Sequence, residues 1–166
     1  MNADDFRRLY DYHFAMNRQV WDIASALPDE AFDREIAYSH GSVRHQLMHL
    51  LAVDEGWFTG LRDDPWPEDI APGAPLPTPT RDEIRERWDD VERRMRDYLA
   101  SVTNEALGQH PWADGEDKDL VLWEVLFHVA NHGTDHRAQL LRALADLGAE
   151  TPPQDYVFYA YQHPLA

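Results

Sequence analysis

His132 and His136 stand four residues apart in the segment HVANHGTDHRAQLLRAL, and His49 lies within VRHQLMHLLAVDEGWF. Both segments repeat apolar residues at helical spacing. Imidazoles at i and i+4 lie about 40° apart around a helix and about 6 Å apart along it, close enough to chelate one ion. A facing helix can then supply a third nitrogen, and His49 is the best candidate for it. Three neutral imidazoles suit zinc, nickel, copper or iron, and a coordination position left to water makes such a site chemically open. The spacing alone leaves the ordinary alternative equally open, histidines with simple hydrogen bonds. The flanking Leu126, Phe127, Val129, Leu140, Leu141 and Leu144 predict a largely buried segment. There, unpartnered imidazoles are costly.

Other side chains could support such a site. His128 precedes His132 by one turn and reads as core or outer support first, and as a ligand second. His45 reads as an exposed helical histidine and His13 as a hydrogen-bonded core histidine. His40, His110 and His163 fall in loops or the tail with nothing to distinguish them. Asp54, Glu55 and Glu124 are acids that could orient an imidazole N–H, although each taken singly reads as a solvated helix carboxylate. Glu55 is retained among the candidates for outer support or substrate contact. Arg137 could bind a substrate carboxylate or form a surface salt bridge.

Composition narrows the function classes. The 166 residues fit one domain spanning 1–166 with a real core, and 43% hydrophobic with 11% aromatic residues argues against disorder. Lys and Arg total 15 against 31 Asp and Glu, a formal net charge of −16. Nucleic-acid binders need a basic stripe, so no nucleic-acid partner is expected. The arginine run RDEIRERWDDVERRMRD is interleaved with acids and reads as a solvated helix face. No apolar stretch approaches a membrane span and the N-terminus lacks a signal-peptide pattern, so a cytoplasmic protein without membrane contact is expected. The absence of cysteine excludes disulfides, thiolate ligands and a cysteine nucleophile, yet leaves open chemistry on a substrate thiol.

Four helical periods must position these groups. The first, about 4–26, carries Phe6, Leu9, Tyr10, Phe14, Val20, Trp21 and Ala24 on one stripe. The second starts after a Ser42 N-cap and continues through Leu61. Residues 62–79 hold six of the eleven prolines and predict a long non-helical crossover. The third opens with a Thr80–Glu83 capping box, and the fourth spans about 120–147 before Gly148. The aromatic tail QDYVFYAYQHPLA is expected to pack back onto the bundle. An all-α four-helix bundle follows. Paired Glu-x-x-His motifs of carboxylate di-iron bundles are missing from these periods, so a mononuclear three-histidine site fits better.

The order of MNRQVW, GSVRHQLMHLLAVDEGWF and LFHVANHGTDHRAQLLRALADLGAETPPQDYVFY resembles the DinB family of DinB/YfiT-like metalloenzymes over nearly the whole chain. The last segment is the most specific. The resemblance implies an up-down-down-up bundle, a homodimer, and one divalent metal, zinc or nickel foremost with iron or copper as alternatives. Position by position it assigns the ligands to His49, His132 and His136. It further implies a metal-dependent transferase acting on a low-molecular-weight thiol, with a metal-dependent hydrolase or a non-enzymatic metal-binding, stress-related protein as alternatives. Two departures leave the ligands intact: Ala138 stands where many members have Gly, and Asp135 where an aromatic residue is common.

Overall fold

The computed structural model describes residues 1–70 and 78–165, and its described residues contain helices and no strand. Four long helices form the bundle: α1 (Ala3–Ser25), α3 (Val43–Arg62), α4 (Arg81–Ser101) and α5 (Leu122–Asp146). Two short helices, α2 (Asp29–Phe32) and α6 (Tyr156–Gln162), were not anticipated by the sequence periods. The crossover between α3 and α4 includes a 3-10 turn at Glu68–Ile70, and its residues 71–77 lie outside the described residues.

Each long helix begins where side chains can satisfy the orphan amides of its first turn. Asn2 and Asp5 form a capping box on α1, as do Thr80 and Glu83 on α4. Ser42 accepts from His45 N at the start of α3. Glu124 reaches back to the Val121 amide at 3.0 Å and opens α5, so it is a helix cap rather than a free carboxylate. Beyond the α5 C-cap Leu147, Gly148 adopts φ +86°, a left-handed conformation that favours glycine.

The contacts between helices fix the topology. Arg7 meets Leu99 and Val102 while Arg18 meets Glu92, so α1 and α4 run antiparallel. Tyr10 bonds Leu126 O and Asn17 bonds Arg137, so α1 and α5 run parallel. His49 approaches His132 and Trp57 approaches His128, making α3 and α5 antiparallel. Arg44 contacts Pro79 and Arg62 contacts Arg94, making α3 and α4 parallel. The four helices are therefore up, down, down and up in chain order, and they pack in the ring α1–α5–α3–α4.

Phe6, Tyr10, Phe14, Val20, Leu47, Leu50, Leu51, Ile84, Met95, Val125, Leu126, Val129, Leu140 and Leu144 fill the interior. One expectation fails on α5: Phe127 is 48% exposed and, with Trp123, faces outward. The tail does return to the bundle. Tyr156 and Tyr159 pack edge-on against Tyr12, and Arg8 bonds Tyr156 Oη and His163 O.

Candidate metal centre

Antiparallel α3 and α5 bring His49, His132 and His136 together. Ring centroids are 5.1 Å apart for His49–His132, 4.4 Å for His49–His136 and 4.1 Å for His132–His136. The Nε2 atoms of His49 and His132 are separated by 3.2 Å. Two nitrogens bound to one tetrahedral ion at 2.0–2.1 Å lie about 3.3 Å apart, so this spacing suits either an N–H···N bond or a shared ion.

A fourth imidazole joins them. His40 stacks on His49 with centroids 3.7 Å apart and lies 5.2 Å from His136. Ligand atoms of His40, His49 and His136 all fall within 4.8 Å of one another. That triple omits His132, although His132 makes the shortest nitrogen approach to His49. Taken together, His40, His49, His132 and His136 form one group of four half-buried imidazoles. Sequence spacing could not reveal His40. It arrives through the loop before α3, where Ser39 (φ 53°) and Gly41 (φ 79°) reverse the chain, and where Ser39 Oγ donates to Gln139 on α5.

Burial and mutual repulsion keep these rings deprotonated. Desolvation, then the neighbouring His40, His136 and His132, push His49 down to about 3. Desolvation and then His136 bring His132 to about 4, against an opposing pull from Asp54. His40 and His136 are lowered mainly by desolvation. At neutral pH each ring therefore offers a lone pair, as ligation requires.

Beneath the imidazoles lies a buried polar network. His13 Nε2 approaches Asp54 Oδ2 at 2.9 Å, and Asn17 Nδ2 donates to the same oxygen at 3.3 Å. Arg137 donates through Nη1 to Asn17 Oδ1 at 2.9 Å and to His13 Nδ1 at 3.2 Å. Its Nε and Nη2 bond Gln154 Oε1 and Thr134 Oγ1. Since arginine only donates, His13 Nδ1 accepts and the His13 proton sits on Nε2, facing Asp54. Gly133 makes room for this junction: a Cβ there would lie 2.4 Å from His13 Cε1 and 2.9 Å from Arg137 Nη1.

Three buried atoms in this region lack a partner, Asp54 Oδ1, His132 Nδ1 and Gln154 Nε2. An imidazole that uses Nε2 for a metal carries its proton on Nδ1, and a buried carboxylate is the usual kind of group to orient it. The donor set thus fits a divalent ion, with Asp54 the nearby charge that acts on His132.

The other candidates divide between the buried interior, the α3–α4 interface and the surface. Asp54 is 1% exposed and engaged in the interior, not a solvated carboxylate. Glu55, its neighbour, points to α4 and is clamped by Arg87 at 2.7 Å and Arg94 at 2.8 Å, which removes it from the imidazoles. Arg137 faces neither solvent nor a substrate cavity, being 1% exposed within the network. His128 is exposed, its ring 6.1 Å from His132 and edge-on to Trp57 at 5.1 Å, so it is not a core residue. His13 is the hydrogen-bonded core histidine expected. Asp135 is exposed and accepts from Gln139 at 3.1 Å. With His132 and Thr134 it edges an open surface depression of about 560 Å³.

Comparison with known proteins agrees with this architecture. The chain is 30% identical over 161 residues to Protein DinB of Bacillus subtilis (strain 168), covering 93% of this chain and 92% of that one. The crystal structure of a DinB-like protein from Bacillus cereus ATCC 10987 superposes with a TM-score of 0.71 at 18% identity, covering 92% of this chain and 97% of that chain. The family model for the DinB family matches residues 1–164, and the chain belongs to that family.

Proposed function

We propose that this protein binds one divalent metal through His49, His132 and His136 and uses an open position on it to activate a low-molecular-weight thiol for transfer to an electrophile. The observation that supports this reading is the convergence of imidazoles from α3 and α5, with the His49 and His132 Nε2 atoms 3.2 Å apart and the rings held neutral. A bound divalent cation supplies electrostatic stabilisation of an anionic sulfur or oxygen near neutral pH. The protein's own part is to hold three nitrogens in place, to keep protons off them, and to brace α5 through the buried network. It contributes no thiol, since the chain has no cysteine.

A second reading rests on His40. Closed structural zinc sites use four protein ligands, and His40 stacked 3.7 Å from His49 could supply the fourth. The site would then be structural and the protein non-enzymatic.

Cobalt-substituted protein separates the two. On the transferase reading, a small soluble thiol changes the visible spectrum of the parent protein, and His40→Ala leaves the metal stoichiometry at one. On the closed-site reading, the parent spectrum ignores thiols and His40→Ala creates the response. No spectral response in either protein refutes thiol activation. A thiol response without conjugation to any electrophile limits the role to binding.

A further inference from the structure

A second recess lies along α3 beyond the histidines. It encloses about 410 Å³, within the range of small-molecule sites, and three indoles line it: Trp57, Trp66 and Trp112. Glycine is a poor helix former, yet α3 carries Gly56 and Gly60 on this face. Trp66 uses the first gap, since a Cβ on Gly56 would lie 3.2 Å from its ring. Trp112 settles at the second, donating Nε1–H to Gly60 O at 3.2 Å, with its ring 5.9 Å from Trp57. Trp66 remains 48% exposed, so the recess opens to solvent along an indole.

The rim is acidic. Asp114, Glu116 and Asp117 line the mouth, no basic side chain does, and none of the three carboxylates forms an ion pair among the described residues. These three acids do not form a chelating group either. Among the described residues, the set of three His, Asp or Glu with ligand atoms within 4.8 Å is the histidine one. A hard metal ion is therefore not the matching guest.

Indole faces attract cations through the ring quadrupole, tryptophan most strongly, and carboxylates at the mouth add a negative potential that disfavours anions. We propose that this recess binds the ammonium head of a small organic cation. Val53 of its wall is one turn beyond His49, and Trp57 is eight residues beyond it, about 12 Å along the helix. The recess does not depend on the metal, and its test can be run without one.

Choline and its uncharged carbon isostere 3,3-dimethylbutan-1-ol, titrated into the full-length protein by calorimetry and tryptophan fluorescence, provide the test. Choline should bind saturably and at least about tenfold more tightly than the isostere, the discrimination expected when a cation meets several indoles. Trp66→Leu, at a half-exposed position, should weaken choline about tenfold. Asp114→Asn/Glu116→Gln/Asp117→Asn, three surface changes that leave the core untouched, should weaken it several-fold, more at low salt. His132→Ala should leave choline binding unchanged, which keeps this test separate from that of the metal. Equal binding of choline and the isostere would make the recess merely apolar and overturn the proposal. So would no saturable choline binding at tens of millimolar, or binding indifferent to both recess variants.

Discussion

Arg137→Met tests the idea that the buried network braces the imidazoles. Methionine keeps much of the aliphatic volume and removes the guanidinium. That guanidinium is 1% exposed and makes four hydrogen bonds, to Asn17, His13, Gln154 and Thr134, at 2.9 to 3.2 Å. Its loss leaves Asn17 Oδ1 and His13 Nδ1 without their donor. It also leaves the Asp54 carboxylate, itself 1% exposed, with no compensating cation behind His13. Removing one partner of a buried charge system destabilises by about 3–5 kcal/mol, because the surviving charge stays desolvated. Part of this is returned, since the guanidinium no longer has to be dehydrated: burial already lowers the Arg137 pKa. For a chain of this size each 1 kcal/mol shifts Tm by about 2–4 °C, so the full penalty corresponds to about 6–20 °C and, after the part returned, a smaller fall of several degrees is expected.

Thermal unfolding followed by circular dichroism measures it, with urea unfolding to confirm an unchanged slope. A double-mutant cycle with Asp54→Asn identifies the cause. If the stranded carboxylate is the main penalty, Asp54→Asn costs less in the Arg137→Met background than alone, by about 1 kcal/mol or more. An Arg137→Met protein melting within about 2 °C of the parent, or a strictly additive cycle, would refute this account of the network.

Gly133→Ala should destabilise by about 1–3 kcal/mol or more and weaken metal binding, since its methyl would enter space held by His13 and Arg137; an unchanged Tm would contradict the packing. His132→Ala or His136→Ala should lower bound metal well below one per chain, measured by elemental analysis of untagged protein, and full retention in the single variants of His49, His132 and His136 would refute the ligand set. Metal-free protein should lose stability as the pH falls below about 6.5. The unfolded chain protonates its histidines there, while in the folded chain burial holds His49 at about 3 and His132 at about 4, so the loss continues toward pH 4. A melting temperature flat between pH 7 and 5 would contradict it. The proposed homodimer finds an apolar surface in Trp123 and Phe127, one turn apart on α5 and 46% and 48% exposed, and a monomer in sedimentation at micromolar concentration would count against it.

Much of the bundle was legible because helices announce their ends locally. Ser42, the Thr80–Glu83 box and Gly148 act within one turn of their own positions, and each marks a boundary where the structure has one. The i,i+4 histidines were legible for the same reason, being a property of one helix. What spacing could not give was anything assembled by several elements. His40 joins through left-handed backbone at Ser39 and Gly41, and no helical period extends across that turn. The tail helix likewise depends on Tyr12 and Arg8 of α1 to hold an exposed aromatic segment in place.

Asp54 and Glu55 show where sequence reasoning ends. They are adjacent acids on one apolar helix, chemically almost equivalent, and neither stands out by spacing. Successive residues on a helix are rotated by about 100°, enough to send one toward α1 and α5 and the other toward α4. Glu55 there meets Arg87 and Arg94 and becomes a clamp between helices. Asp54 instead meets His13 and Asn17, with Oδ1 left unbonded and its charge acting on His132, whose Nδ1 is also unbonded. A structural ion pair completes itself, whereas a buried carboxylate oxygen or imidazole nitrogen without a partner carries a desolvation cost. Of the two acids, Asp54 is the one whose charge acts on His132, and so the one that could support the proposed metal site.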